Sequence, residues 1–201
     1  VETDQVFVDA LAGQLSYDPF EDELIHKSEH SIEFQVVFLQ YLREKMGRGS
    51  VPITIVPILC GGSMHEAIVS DQPIDQVPQL DESIKSLHDV FEQYTRSCLV
   101  ASVDFSHIGL RYGDPEEPSP QKLTMVEETD RTLLAALERV DHQDFVVQLQ
   151  QNCNATQVCG FVPIYTMLRL LEGTRGTLLH YDRTELSPGS FVSFASMVWS
   201  A

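Results

Sequence analysis

Two apolar runs set the limits on how this chain can fold. "VPITIVPIL" (51–59) and "SCLVASVDF" (97–105) are rich in apolar and β-branched residues and lack the alternation of a half-wet strand. Runs of this kind suit strands covered on both faces. Elsewhere apolar residues recur at helical spacing. Ile84, Leu87, Val90, Phe91 and Tyr94 predict a helix over 81–96, and Leu123, Val126, Leu133, Leu134 and Leu137 a longer one over 122–140. Ile32, Val36 and Leu39 predict a third, with Ser28 as its expected cap. Phe34, Val37, Phe38 and Tyr41 widen the apolar surface of that helix, so it is expected to be well buried. "QVFVDALAG" near the start reads as a short extended piece, "CGGSMHEAIVS" as a glycine turn with a short helix, and "HQDFVVQLQQ" as another short helix. "CGFVPIYTMLRLLEG" opens a helix with Pro163 in its first turn, and Gly173 supplies its stop. "GTLLHYDR" and "SFVSFASMVWS" close the chain as strands that can pair antiparallel through "TELSPG". Alternating strands and helices predict an α/β domain with helices on both faces of a sheet.

Size and charge narrow the function classes. A chain of 201 residues fits one substantial domain. Its formal charge of -17, from 13 Lys and Arg against 30 Asp and Glu, repels phosphate backbones and anionic bilayers. Neither nucleic acid nor membrane is an expected partner. No apolar run is long enough to span a bilayer, and no signal peptide is visible. Cys60, Cys98, Cys153 and Cys159 form no C-x-x-C pair and no disulfide scaffold, so a reducing cytoplasm is the expected setting. Nucleotide-binding glycine loops are missing as well.

Three stretches carry candidate chemistry. In "KSEHSIEFQVVFLQYL" (27–42), His30 stands at the mouth of a helix, either as a capping residue or as one ligand of a distributed site. In "SVDFSHIG" (102–109), a strand runs into Asp104, and His107 follows three residues later. Sites in open α/β sheets gather beyond the carboxyl ends of strands. There Asp104 either caps a turn or orients His107 as a general acid/base. In "VCGFVP" (158–163), Cys159 precedes a helix whose positive end is expected to lower the thiol pKa. The alternative is a buried, inert cysteine. Thiolate together with imidazole suits iron, copper or zinc.

The same three stretches resemble a known family. "EHSIEFQVVFLQ" resembles the E-H-S-[IL]-E-x-Q-x-x-F-L-Q signature of the Memo family, "SVDFSHIG" its S-S-D-[FL]-[SC]-H segment, and "CGFVP" its C-G-x-x-P segment. The ending "SFVSFASMVW" is similar to its closing S-V-V-G-Y-A strand. The matches keep family order and cover nearly the whole chain. The family includes AmmeMemoRadiSam system protein B. The resemblance implies a LigB-like three-layer α/β/α sandwich with a mostly parallel or mixed central sheet, as in class III extradiol dioxygenases. Those enzymes hold non-haem iron with two histidines and a carboxylate, and a further histidine acts as acid/base. By resemblance His30 occupies the second metal-histidine position, Cys159 stands where the carboxylate ligand would be, and His107 matches the acid/base histidine with Asp104 beside it. Glu33, one turn along from His30, is expected to hydrogen-bond that ring and set its tautomer. The helix would mount the His30 ring so that it points at His107 and Cys159.

Two departures stand out. The family's first ligand histidine lies in a P-H-A-G-Y-x-x-S-G segment with no counterpart here, so residues 1–201 are expected to be one Memo-like domain lacking its N-terminal strand region. Ile108 replaces the aromatic residue usual after the second histidine. The leading expectation is a His/Cys metal site, with iron or copper (zinc as a further option), in a dioxygenase-like cleft with redox or oxygenase-type activity. The second is a non-enzymatic protein binding a small molecule or peptide in that cleft. The third is a metal-free hydrolase using Cys159 and His107.

Overall fold

A computed structural model describes residues 1–49, 52–61 and 63–200, apart from the side chains of Ser63 and Asp75. Val51, the first residue of the predicted strand over 51–59, and Gly62 of the predicted glycine turn lie outside the described residues. The chain forms two compact units, Val1–Cys60 with Gln79–Ser102, and Gly61–Pro78 with Val103–Ala201.

The first unit holds a two-stranded parallel sheet. Strand β1 (Glu2–Thr3) pairs with β2 (Thr54–Ile55) in the register Glu2 to Thr54 and Thr3 to Ile55. Helix α1 (Gln5–Ala12) follows at once, because the Asp4 side chain accepts a hydrogen bond from Phe7 N and closes its first turn. The segment read as extended is therefore helical. The V-F-V alternation spans too few residues to outweigh a capped first turn. Phe7 is the buried residue of α1, and its ring centroid lies 4.9 Å from that of Tyr94. Helix α4 (Leu80–Phe91) adds Ile84, Leu87 and Val90 to this small core.

Helix α2 (Ser31–Lys45) departs from expectation in two ways. Its first turn is closed by Glu29, whose carboxylate accepts from Ser31 N at 2.8 Å and Ile32 N at 3.3 Å, while Ser28 donates its hydroxyl to Ile25 O. None of its residues is buried: Ile32, Val36 and Leu39 are half-covered, and Phe34, Val37, Phe38 and Tyr41 are exposed. Apolar spacing specifies a face suited to burial, but coverage depends on the neighbours that the unit supplies.

The second unit is built on the antiparallel order β3–β5–β4, with β3 at His107–Gly109, β4 at Arg175–Ser187 and β5 at Ser190–Ser200. The closing hairpin pairs the two strands expected from sequence, but β4 runs on through "TELS", so the turn is confined to Pro188 and Gly189, the latter at φ +68°. Helices α3 (Ser63–Val69), α5 (Pro120–Glu138), α6 (His142–Gln151) and α7 (Phe161–Leu170) complete the unit. Ser119 caps α5 by accepting from Lys122 N, and Asp141 caps α6 by accepting from Asp144 N. The core takes Met64 and Ile68 from α3, Val126, Leu133, Leu134 and Leu137 from α5, Phe145 and Leu149 from α6, and Ile164 and Leu168 from α7. Each such side chain contributes about 1.5–3 kcal/mol by leaving water. Trp199 Nε1 donates to Leu137 O at 3.1 Å, which ties the end of the hairpin to the end of α5.

The chain is thus mixed α/β, with seven α-helices and two small sheets among the described residues. The two continuous apolar strands contract. Among the described residues, ladder pairing in the first is limited to Thr54–Ile55, and in the second it falls at His107–Gly109 rather than over 97–105. An apolar, β-branched run favours extended backbone, but a strand also needs a hydrogen-bonding neighbour along its length. Among the described residues no helix is long and apolar enough to cross a membrane.

Candidate metal and proton site

The approach to β3 is pinned by backbone bonds. Phe105 N donates to Ser193 O at 2.9 Å, Ser193 N donates to Ser106 O at 3.0 Å, and His107 N donates to Thr156 O at 2.8 Å. Phe105 and Ser106 are buried, while Asp104 and His107 on either side remain partly open to solvent. Gly109, at φ +110°, is required where β3 ends, because a Cβ there would collide with the Gly189 carbonyl.

The loop ahead of α7 brings in Cys159. Buried Asn154 holds that loop with a pair of bonds to Val158, Nδ2 to its carbonyl at 3.0 Å and Oδ1 from its N–H at 2.9 Å. Cys153, Asn154 and Gln157 all adopt positive φ, a conformation that costs energy away from glycine. Gly160, the N-cap of α7, lets this loop lie against the strand approach, since a Cβ on it would sit 2.5 Å from Val103 Cβ. The result is a short bond from Cys159 Sγ to Asp104 Oδ1 at 3.3 Å.

His107 is engaged on both ring nitrogens. Nδ1 lies 3.0 Å from Phe105 O and 3.1 Å from Gln157 O. Carbonyls only accept, so Nδ1 carries a hydrogen, and this assignment follows from its partners. Nε2 lies 3.3 Å from Asp104 Oδ2, and the edge of the ring meets Tyr112 at a centroid distance of 4.9 Å. A neutral ring protonated at Nδ1 would turn a lone pair toward a carboxylate. That arrangement is stable only with a cation between them, either a proton, which makes the ring an imidazolium, or a metal ion. The hydrogen bond and charge of Asp104 accordingly raise the His107 pKa above 6.5, against the opposing effect of burial. Burial also works to raise Asp104, yet the bond and charge of His107 and the Cys159 thiol hold its carboxyl below 3.8.

Cys159 departs from the expected thiolate. Lost hydration, then the charge of Asp104 and its hydrogen bond to the thiol, push its pKa up to about 11. Cys159 is exposed as a residue, so the carboxylate 3.3 Å from its sulfur is the cause with the most definite geometry. Helix α7 does begin directly after it, but a full negative charge in contact outweighs the partial charge of a helix terminus. The thiol is a donor here and becomes a thiolate when a cation takes its proton's place.

The structure brings Asp104, His107 and Cys159 together, with their donor atoms all within 4.8 Å of one another. Their mixture of carboxylate oxygen, imidazole nitrogen and thiol sulfur is a donor set that could hold a transition-metal ion. His30 lies in the first unit, exposed, at the N-cap position of α2 but without a capping bond from its ring. Its Nδ1 lies 3.1 Å from Glu33 Oε2, so the nitrogen left for another partner is Nε2. The first turn of α2 is anchored by Ser102 Oγ, which donates to Ser31 O at 2.9 Å and accepts from Gln35 Nε2 at 3.0 Å.

Ser106, Ser193 and Asp130 were not singled out in the sequence, yet they hold the strand under the site. One signal was available: Asp130 is a charged residue on the apolar stripe of α5, four positions after Val126 and three before Leu133.

Comparison with known proteins agrees with these motifs. The family model described as Memo-like protein matches residues 1–198. A MEMO1 family protein of Aquifex aeolicus (strain VF5) is 31% identical over 198 residues, covering 96% of this chain and 46% of that protein. One from Pyrococcus horikoshii is 31% identical over 189 residues, covering 88% of this chain and 58% of the relative. One from Methanosarcina acetivorans is 34% identical over 163 residues, covering 80% and 49%. The chain therefore spans about half the length of these curated relatives. With the match running from its first residue almost to its last, through the segments that carry His30, His107 and Cys159, the chain belongs to the Memo family.

Proposed function

We propose that this Memo-family chain is a metal-site protein in which Asp104, His107 and Cys159 hold an iron or copper ion, with redox or oxygenase-type chemistry as its activity. One observation carries the reading. His107 Nε2 and Asp104 Oδ2 face each other across 3.3 Å, with the Cys159 thiol on the other oxygen of the same carboxylate, so that three side chains able to ligate an ion have their donor atoms within 4.8 Å of one another. A bound transition metal supplies a redox-active Lewis acid. Phe105 O and Gln157 O hold the Nδ1 hydrogen, so His107 acts through Nε2 alone: in the metal-free protein that nitrogen shares a proton with Asp104, and with an ion bound it would be a ligand and carry no proton. Asp104 keeps the ring oriented and raises its basicity.

His30 enters this reading through the family pattern as a metal-binding imidazole. Glu33 fixes Nδ1 and leaves Nε2 as the ligand nitrogen. The substrate class is a small molecule or a peptide. The metal-free cysteine hydrolase is disfavoured, because the Cys159 thiol is bonded to the Asp104 carboxylate, which together with burial raises its pKa, and not to the His107 ring that would have to act as its base.

The test is metal analysis of the purified chain after reconstitution with iron(II), copper(I) or zinc(II). The wild type is expected to hold about one ion, and Cys159→Ser, His107→Ala and Asp104→Asn each to lose most of it. Separate measurement of His30→Ala reads the contribution of that ring. Unchanged metal content in Cys159→Ser and His107→Ala together overturns the proposal and leaves metal-free ligand binding as the better account.

A further inference from the structure

Helix α5 carries a carboxylate that its packing alone does not call for. Asp130 has no solvent exposure and sits on the same apolar stripe as Val126, Leu133, Leu134 and Leu137. A leucine there would extend the core, whereas a buried carboxylate stays only if hydrogen bonds replace its water. Three hydroxyls do so. Ser106 Oγ donates to Oδ1 at 2.6 Å, Tyr181 OH to Oδ2 at 2.8 Å, and Ser193 Oγ to Oδ2 at 2.5 Å.

One of these donors, Ser106, belongs to the backbone that carries the proposed site, and a second, Ser193, lies on the strand that bonds to it. Ser106 lies between Asp104 and His107 in sequence. Its N–H donates to Ser193 Oγ at 2.9 Å, its carbonyl accepts from Ser193 N at 3.0 Å, and its hydroxyl goes to Asp130. Every polar group of Ser106 is therefore committed to the pair Ser193 and Asp130. The Ser193 hydroxyl both accepts from Ser106 N and donates to Asp130, so the three residues close a ring of hydrogen bonds beneath the strand. The third donor, Tyr181 on β4, reaches the same carboxylate from a strand that does not pair with β3.

We propose that Asp130 is a positioning residue for the Asp104–His107 pair: through Ser106 and Ser193 it sets the backbone from which both side chains project, and so the approach of His107 Nε2 to Asp104. It touches neither side chain. The inference rests on the reading of Asp104 and His107 as functional, but its first measurement does not require a metal.

That measurement is the position of the His107 ring nitrogen signals in a long-range proton–nitrogen correlation spectrum of the metal-free chain at fixed pH. The wild type is compared with Ser106→Ala, Asp130→Asn and Tyr181→Phe, each checked for a cooperative unfolding transition. Ser106→Ala removes only the hydroxyl link, and Asp130→Asn keeps the shape but replaces one acceptor oxygen by a donor. Both are expected to displace the His107 signals. Tyr181→Phe removes a bond to the same carboxylate but leaves the Ser106 and Ser193 hydroxyl links to it intact, and is expected to displace them less. In zinc(II) titrations, Ser106→Ala and Asp130→Asn are expected to weaken binding about tenfold to a hundredfold, as loss of an outer hydrogen bond does at metal sites. His107 signals that stay at the wild-type position in Ser106→Ala and Asp130→Asn overturn the inference. An equal displacement in Tyr181→Phe also overturns it, because Asp130 would then be a general core support. A wild type that binds no metal, while its His107 signals still respond to Ser106→Ala, defeats the metal reading and keeps this one.

Discussion

His107 Nε2 stands 3.3 Å from Asp104 Oδ2, while His107 Nδ1 is already held by the carbonyls of Phe105 and Gln157. The imidazole is thus a one-sided device. That leaves Nε2 as the nitrogen able to exchange a proton or meet a ligand, beside a carboxylate that also accepts from Cys159.

Stability of the metal-free chain should depend on pH through this pair. The folded His107 pKa lies above 6.5, so its contribution is fully present below about pH 6.5 and is lost as pH rises through the raised value. Asp104 is lowered below 3.8, so its contribution is present above that value and is lost as pH falls through the folded pKa. Denaturant unfolding from pH 5 to 9 is expected to show a declining midpoint above about pH 6.5 in the wild type and a flatter profile in His107→Gln. Parallel profiles would contradict this.

Metal binding should release protons. On the proposed metal reading, the imidazolium proton and the proton of the Cys159 thiol, its pKa pushed up to about 11, would both give way to the ion. Affinity is therefore expected to rise with pH between roughly 6 and 9. Calorimetry in buffers of different ionisation enthalpy counts the protons, and a pH-independent affinity would tell against thiolate and imidazole ligation.

The neighbouring carboxylate should protect Cys159 from alkylation. Asp104→Asn removes the charge beside the sulfur and is expected to speed modification of Cys159 by iodoacetamide at pH 8 severalfold, read site by site in a mass spectrometer. Equal rates in the two proteins would assign the raised thiol pKa to burial alone.

Gly160 should be intolerant of a side chain. A Cβ at this position would lie 2.5 Å from Val103 Cβ and 3.2 Å from Asp104 O, so the Cys159 loop must retreat from the strand. Gly160→Ala is expected to cost about 1–3 kcal/mol of stability, measured by urea unfolding, and to weaken metal binding with it. Gly113→Ala, with no atom within 4 Å of its new Cβ but φ at +93°, separates backbone strain from overpacking. A loss no larger at Gly160 than at Gly113 would remove overpacking as the cause.

Helices were the more legible part of the fold. The helix expected over 122–140 lies at 120–138, and those expected in "HQDFVVQLQQ" and after "CGFVP" lie at 142–151 and 161–170, since apolar spacing and a first-turn proline are local signals. Strands were legible as extended apolar backbone but not as ladders, because pairing depends on a partner remote in sequence. His107, for instance, pairs with Val192. Of the site, "DFSH" and "CGF" mark the residues that meet. The thiol's protonation was misjudged, since a helix start is visible in sequence and the Asp104 carboxylate in contact with Cys159 is not.

By itself the sequence determined most of the helices (though not the first), the closing hairpin, the family motifs and the residue types capable of metal and proton chemistry. Each of these depends on interactions within a few residues or on side-chain identity. Tertiary structure alone decided that Cys159 reaches Asp104 across 55 positions and that Ser106 rests on Asp130 across 24. It also decided that the two faces of His107 have different partners. Hydrogen bonds and charges act over a few ångströms, and only folding brings residues so distant in sequence within that range.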